Sequence, residues 1–398
     1  MNRLFVLLFI AVAAAAVSCR PKQESMDTLI ADRLDRAVDR YELLAASLAD
    51  QPDKLPRTID ADGKLLTTSS EGWVSGFVPG SLWYLYLYSE NPLLLEYAKN
   101  YTVRLEKEKY NRGTHDLGFM LYCSYGNGYR LTGDTAWRSV LLTGAESLAS
   151  RFNPTIGCIQ SWNTNKKWQF PVIVDNMMNL EYLFWAARES GHSRYRDICL
   201  SHADATIANH FRPDGSSYHV VSYDTITGQV EKKNTAQGFS DESAWGRGQA
   251  WGLYGFTVMY RETQEPKYLE QAKSIARFIL NGLPADKIPY WDFNAPDIPD
   301  AKRDASAGAI IASALIELSG YVDEALAKTC LETAETQIRT LSSPEYFAEK
   351  GTNGNFLLKH SIGSLPGNSE VDVPLTYADY YYIEALLRYK FLILSVSK

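Results

Sequence analysis

The chain has 398 residues, 45% of them hydrophobic and 22% charged. That is enough apolar material for a large core and excludes wholesale disorder. A net charge of −7, with no basic block, RNP-type string or zinc-finger spacing, argues against nucleic acid as a partner. The 25 Tyr and 9 Trp pair flat apolar faces with polar edges, which suits sugars and equally suits a helical core.

Residues 1–18 read as a leader. Arg3 supplies the positive start, and the apolar run Leu4 to Val17 is shorter than the roughly 20 residues that span a bilayer. Ala16-Val17-Ser18 then places small residues before Cys19, which resembles a bacterial lipoprotein cleavage signal with Cys19 as the acylated residue. The alternative is an ordinary secretory signal with an incidental cysteine. Residues 19–26 read as a polar tether, and no later segment is apolar enough to span a membrane. The expected location is therefore the periplasm or cell surface, with contact to the membrane only through the lipid. Cys123, Cys158, Cys199 and Cys330 are widely spaced without C-x-x-C, which predicts buried free thiols rather than a disulfide framework or a zinc site.

From residue 27 onward one pattern recurs. Charged amphipathic helices are predicted near 27–50, 93–108, 135–151, 194–210, 267–282 and 323–341, with apolar residues such as Tyr268, Ala272, Ile275, Ala276 and Ile279 on one face. Charge-poor helices rich in Gly, Ala, Leu, Tyr and Trp alternate with them near 76–90, 116–131, 175–189, 244–262, 305–319 and 375–391. Alternation of exposed and enclosed helices predicts two concentric rings, an all-α (α/α)6 barrel over 27–398 as one domain. An open solenoid is the competitor, but it needs polar caps, and the last helix is apolar. The long connections all follow the outer helices, so a site is expected at that end. The best strand signal is Tyr218–Tyr223 with a turn at Thr227-Gly228, a small flap.

Two acids open neighbouring inner helices, Asp116 in Thr114-His115-Asp116-Leu117-Gly118 and Asp175 in Val174-Asp175-Asn176-Met177-Met178-Asn179. Each also suits a helix N-cap. A cap stabilises the anion, whereas a general acid must keep its proton near neutrality, so burial and a second carboxylate would decide between the roles. Arg247 and Trp251 share a helix face, and an Arg fork beside a ring fits a sugar carboxylate. The plain alternative pairs Arg247 with Asp241 or Glu242. Trp73, Trp162 and His219 could line the same mouth. The acidic stretch Asp292, Asp297, Asp300 and Asp304 lacks EF-hand spacing and is read as a solvated loop, so no metal and no cofactor is expected.

Four segments, His115–Phe119, Asp175–Leu180, Ser243–Gly252 and Pro366–Glu370 with Tyr377–Tyr381, resemble glycoside hydrolase family 88, and the resemblance runs from about residue 30 to the end. It implies the same (α/α)6 barrel and removal of Δ4,5-unsaturated glucuronate from lyase-generated glycosaminoglycan oligosaccharides. It further implies Asp175 as general acid and then base, Asp116 as its assistant, and Trp73, His115, Trp162, His219, Gln237, Arg247 and Trp251 as substrate contacts. One departure stands out. Some members that prefer sulfated substrates carry Ser and Lys before the last helix; here Ser361, Ser364 and Ser369 are followed by Glu370-Val371-Asp372, without a Lys. Two alternatives are an unsaturated rhamnogalacturonyl hydrolase acting on pectin fragments, against which the His115-Asp116 pair argues, and a non-catalytic glycan-binding lipoprotein.

Overall fold

The computed structural model describes residues 24–395, so the expected leader, Cys19 and most of the tether lie outside the described residues. Twelve α-helices alternate between two rings. The outer set is α1 (Met26–Ala46), α3 (Pro92–Val103), α5 (Thr135–Ala149), α7 (Ser193–His210), α9 (Pro266–Gly282) and α11 (Glu324–Leu341). The inner set is α2 (Phe77–Ser89), α4 (Asn127–Thr132), α6 (Leu180–Ser190), α8 (Gly246–Thr263), α10 (Ala305–Leu318) and α12 (Thr376–Arg388). The ring closes because α12 packs on both α10 and α2. An open solenoid would leave those faces unpaired.

Composition explains which helix goes where. α10 is buried at every position, and it holds almost nothing that needs water. α9 buries only Tyr268, Ala272, Ile275, Ala276 and Ile279, the stripe expected of an outer helix. The two kinds are joined at one end by tight turns. Glu90, Gly133, Gly191 and Gln264 each close an inner helix in the left-handed conformation, and Asn91 and Asp134 cap the helices that follow. Among the described residues, no helix is long and apolar enough to cross a membrane, and Cys123, Cys158, Cys199 and Cys330 are buried free thiols.

All the strands lie in the long connections at the other end. They are β1 (Leu55–Ile59) with β2 (Leu65–Thr68), β3 (Phe152–Asn153) with β4 (Cys158–Ile159), the antiparallel sheet β5 (Pro171–Ile173), β6 (Val220–Tyr223) and β7 (Val230–Asn234), and the hairpin β8 (Ser361–Ser364) with β9 (Ser369–Val373). The expected flap is thus three-stranded, not a lone hairpin. The inner helices nearest it also start irregularly. A π-helix, Gly118–Gly126, leads into α4, and a 3-10 turn, Val174–Asn179, leads into α6. Both irregular starts sit at the mouth, where such geometry is most often functional.

Candidate active site

The mouth holds a pocket of about 90 Å3, lined by Trp73, His115, Asp116, Phe119, Trp162, Ile173, Asp175, Gln237 and Arg247. Two of these, Phe119 and Ile173, were not among the residues singled out in the sequence; apolar positions beside a motif carry no signal of their own. A larger cavity of about 540 Å3 lies toward the tight-turn end of the barrel. There the charges answer one another, Arg261 pairing with Glu181 and Glu317, and Arg388 with Glu317. The chemistry is therefore placed at the smaller pocket.

Strand pairing sets the acid in position. β5 pairs with β6, Ile173 opposite Val220, and Val174 N–H donates to the His219 carbonyl at 3.1 Å. Asp175 and His219 thus emerge side by side from adjacent strand ends. Neither acid is a cap. The 3-10 turn carrying Asp175 has no side-chain capping bond, and Asp116 instead accepts the Thr114 hydroxyl at 2.5 Å.

A polar ladder joins the two inner helices that carry the acids. Asn176 donates to the Ile159 carbonyl at 2.7 Å, Asn179 donates to Asn176 at 2.9 Å, and Gly118 N–H donates to Asn179 Oδ1 at 2.8 Å. Asn179 Nδ2 also lies 3.4 Å from His115 Nδ1, while His115 Nε2 is 3.2 Å from Asp116 Oδ1. Gly118 is required by this approach, since a Cβ there would meet Asn179 Oδ1 at 2.5 Å. The asparagines gave no sequence signal of a role, because an amide that positions two helices looks like any polar residue.

Burial drives the electrostatics. Loss of water pushes the Asp175 carboxyl up to about 7. Arg247 and the residue's own backbone N–H oppose this shift, and the Asp116 charge adds to it. Asp175 Oδ1, His219 Nε2 and Trp251 Nε1 are all buried and make no hydrogen bond among the described residues. The Trp251 indole N–H is close enough to favour the anion but closes no bond of normal geometry. Unpaired buried polar atoms are uncommon and mark places where a ligand or a reaction supplies the partner.

His219 has a fixed tautomer. Its Nδ1 accepts from Ala236 N–H at 3.2 Å and Gln237 N–H at 3.3 Å, so the proton resides on Nε2. That N–H lies 3.7 Å from Asp175 Oδ1. Burial first, then the Arg247 charge, lowers the imidazole to about 3, so it is neutral at physiological pH. Its ring lies 4.5 Å from Trp245 and 6.0 Å, edge-on, from Trp162.

Arg247 has a different ion-pair partner from those the sequence offered. It pairs with Asp304 at 3.0 Å, not with Asp241 or Glu242, and a second nitrogen donates to the Gly363 carbonyl at 2.7 Å. It is 1% exposed, with Trp245 at 4.4 Å and Tyr377 at 5.2 Å. Its two terminal nitrogens are thus engaged by the protein, while its buried Nε has no hydrogen-bond partner among the described residues and the residue lines the pocket. Trp251 is fully buried between Phe119 at 5.1 Å and Tyr381 at 5.3 Å; it forms the floor behind Asp175 rather than the wall. His219 likewise stands behind the acid. Gln237 reaches across to the Gly363 carbonyl at 2.9 Å.

The acidic stretch is not a solvated loop throughout. Asp292 and Asp304 are fully buried. Asp292 accepts from Phe239 N–H at 2.8 Å and the Ser243 hydroxyl at 2.7 Å, which pins the loop bearing Gln237. Backbone N–H donors from distant residues bury these carboxylates, and sequence spacing cannot show that. Among the described residues, no group of three or more His, Cys, Asp or Glu is arranged to hold a metal ion.

Residues 51–389 match the sequence pattern of Glycosyl Hydrolase Family 88. The chain belongs to this family. An unsaturated glucuronyl hydrolase of Formosa agariphila is 47% identical over 330 residues, 82% of each chain. An unsaturated chondroitin disaccharide hydrolase of Streptococcus pneumoniae is 35% identical over 322 residues, 80% of this chain and 81% of that one. The crystal structure of an unsaturated glucuronyl hydrolase specific for heparin superposes with a TM-score of 0.89 at 48% identity, covering 92% of this chain and 98% of the other. The family 88 barrel and the two rings described above are the same architecture.

Proposed function

We propose that the protein is an unsaturated glucuronyl hydrolase that removes Δ4,5-unsaturated glucuronate from glycosaminoglycan-derived oligosaccharides by hydrating the vinyl ether. The observation that carries the mechanism is the buried Asp175 carboxyl, held near 7 with an unpaired oxygen beside the pocket. A group with that pKa can give a proton and take one back at neutral pH.

In the first step Asp175 gives its proton to C4, and the C4=C5 electrons leave a cation shared by C5 and the ring oxygen. Water then adds at C5, and the Asp175 carboxylate takes the proton it sheds. The C5 hemiketal opens to a ketone, leaving C1 as a hemiacetal of the partner sugar. That hemiacetal collapses to an aldehyde and frees the partner's hydroxyl. No bond to C1 is attacked by water, so carboxylate separation does not set the stereochemistry as it does in ordinary glycosidases.

The remaining groups have defined work. The neutral His219 Nε2–H steadies the Asp175 carboxylate once it ionises. Asp116, oriented by Thr114 and His115, repels a second negative charge and so keeps the proton on Asp175 until the substrate takes it. The Arg247 field opposes this and also favours an anionic uronate in the pocket. Trp73 and Trp162 offer ring faces to the sugar. The test is loss of ultraviolet absorbance of the conjugated enol ether in unsaturated glycosaminoglycan disaccharides, with wild type active and Asp175→Asn inactive. A retained rate in Asp175→Asn overturns the assignment of the acid. The leader motif supports anchoring through Cys19 to a bacterial membrane; fatty-acid labelling abolished by Cys19→Ala is the matching test.

A further inference from the structure

The pocket has two walls of different electrostatic character. On the hairpin wall both acids of the hairpin, Glu370 and Asp372, are paired. Glu370 pairs with Arg57 at 2.6 Å, and Asp372 pairs with Lys302 at 3.2 Å and His360 at 2.6 Å. Residues 361–373 themselves contain no Lys or Arg to offer an anionic substrate.

The opposite wall is different. Asn165 Oδ1 accepts the N–H of Lys167 at 2.9 Å and of Trp168 at 3.2 Å, a turn that presents Lys166 and Lys167 at its tip. Trp168 packs 5.3 Å from the pocket residue Trp162, and its indole N–H donates to Asn234 of β7 at 3.3 Å. Lys232 lies on the same sheet face as Asn234, and Asn234 pairs through Val220 with Ile173 of the pocket wall. Lys166, Lys167 and Lys232 are exposed, and none forms an ion pair among the described residues. On the same sheet and the loop after it, Glu231 accepts the Ser222 hydroxyl at 2.9 Å and Asp241 accepts Thr235 N–H at 2.8 Å. The Lys167 ammonium lies 4.4 Å from the centre of the Trp168 ring, which joins it through Trp168 to the pocket residue Trp162.

We propose that Lys167, with Lys166 and Lys232, receives a sulfo group on the sugar that follows the unsaturated uronate. This rests on the preceding reading and extends it to the leaving sugar. A chain of net charge −7 repels polyanions at long range, so attraction must come from a local group of cations. A lysine is a point charge on a flexible stem, suited to a sulfo group held near solvent, whereas the buried Arg247 fork is fixed. Trp162, which lines the pocket, supplies the ring surface beneath such a sugar.

The experiment compares unsaturated disaccharides of one linkage, with and without a sulfo group on the second sugar, in wild type and in Lys167→Glu/Lys232→Glu. The readout is the ratio of kcat/KM on the sulfated to the unsulfated substrate. The double reversal is expected to lower that ratio about tenfold at low salt, and about 0.5 M salt to shrink the effect by screening. An unchanged ratio overturns the inference while leaving the hydrolase reading standing. Absence of turnover on either substrate by wild type removes the hydrolase reading, and this inference with it.

Discussion

Asp175→Asn should abolish activity and stabilise the fold, and the stabilisation should grow with pH. The folded protein holds the Asp175 proton up to about 7, whereas the ordinary carboxyl releases it near 3.8. Between those values the unfolded chain binds fewer protons, so unfolding becomes easier as pH rises. At about 1.36 kcal/mol per unit the native carboxyl costs roughly 4 kcal/mol at pH 8 and roughly 2 kcal/mol at pH 5. Water entry and relaxation reduce both figures, and an amide also leaves polar atoms unpaired, so they are upper bounds. For a chain of this length the gain in Tm is then about 5 °C at pH 8 and about 2 °C at pH 5. Differential scanning calorimetry of both proteins at the two pH values reads this directly. Equal Tm values at pH 8, or a gain no larger than at pH 5, would refute the claim that burial holds this proton.

Three further outcomes follow from the same geometry. The kcat/KM of wild type should fall as pH rises through about 7, because the free enzyme then loses the proton that C4 requires; a profile flat from pH 6 to 8.5 contradicts this. Asp304→Ala strands the buried Arg247 charge and removes the cap that accepts Ser306 N–H at 3.0 Å. Its expected cost is about 3–5 kcal/mol in urea unfolding, together with a loss of activity. Gly118→Ala drives a methyl group into Asn179, so kcat should fall at least about tenfold through displacement of the acids, and Gly133→Ala serves as a comparison away from the mouth.

The double ring was readable because burial leaves a compositional trace. An inner helix such as α10 has no charged face, while α9 has one, and their alternation along the chain is visible residue by residue. The mouth was less readable. β1, β2, β8 and β9 are short, and their pairing partners lie in connections that look like plain loops. The π-helix before α4 and the 3-10 turn before α6 answer to packing between neighbouring helices, which no local propensity records. Asp175 and Asp116 could be named from the sequence, but their freedom from capping duty depends on where Thr114 and Val174 point. Arg247 finds its partner 57 residues away in Asp304, beyond the reach of any spacing rule. The position of Trp251 behind the acid has the same origin.

The central claim is that a proton from Asp175 reaches C4 before any bond at C1 breaks. Turnover of an unsaturated glycosaminoglycan disaccharide in D2O, followed by proton NMR, tests it most directly. Hydration from one face predicts a product carrying a single deuterium at C4 in one configuration, with the enol-ether signal lost at the rate the partner sugar appears. Release of the partner sugar with the C4=C5 double bond intact and no deuterium at C4 would contradict it.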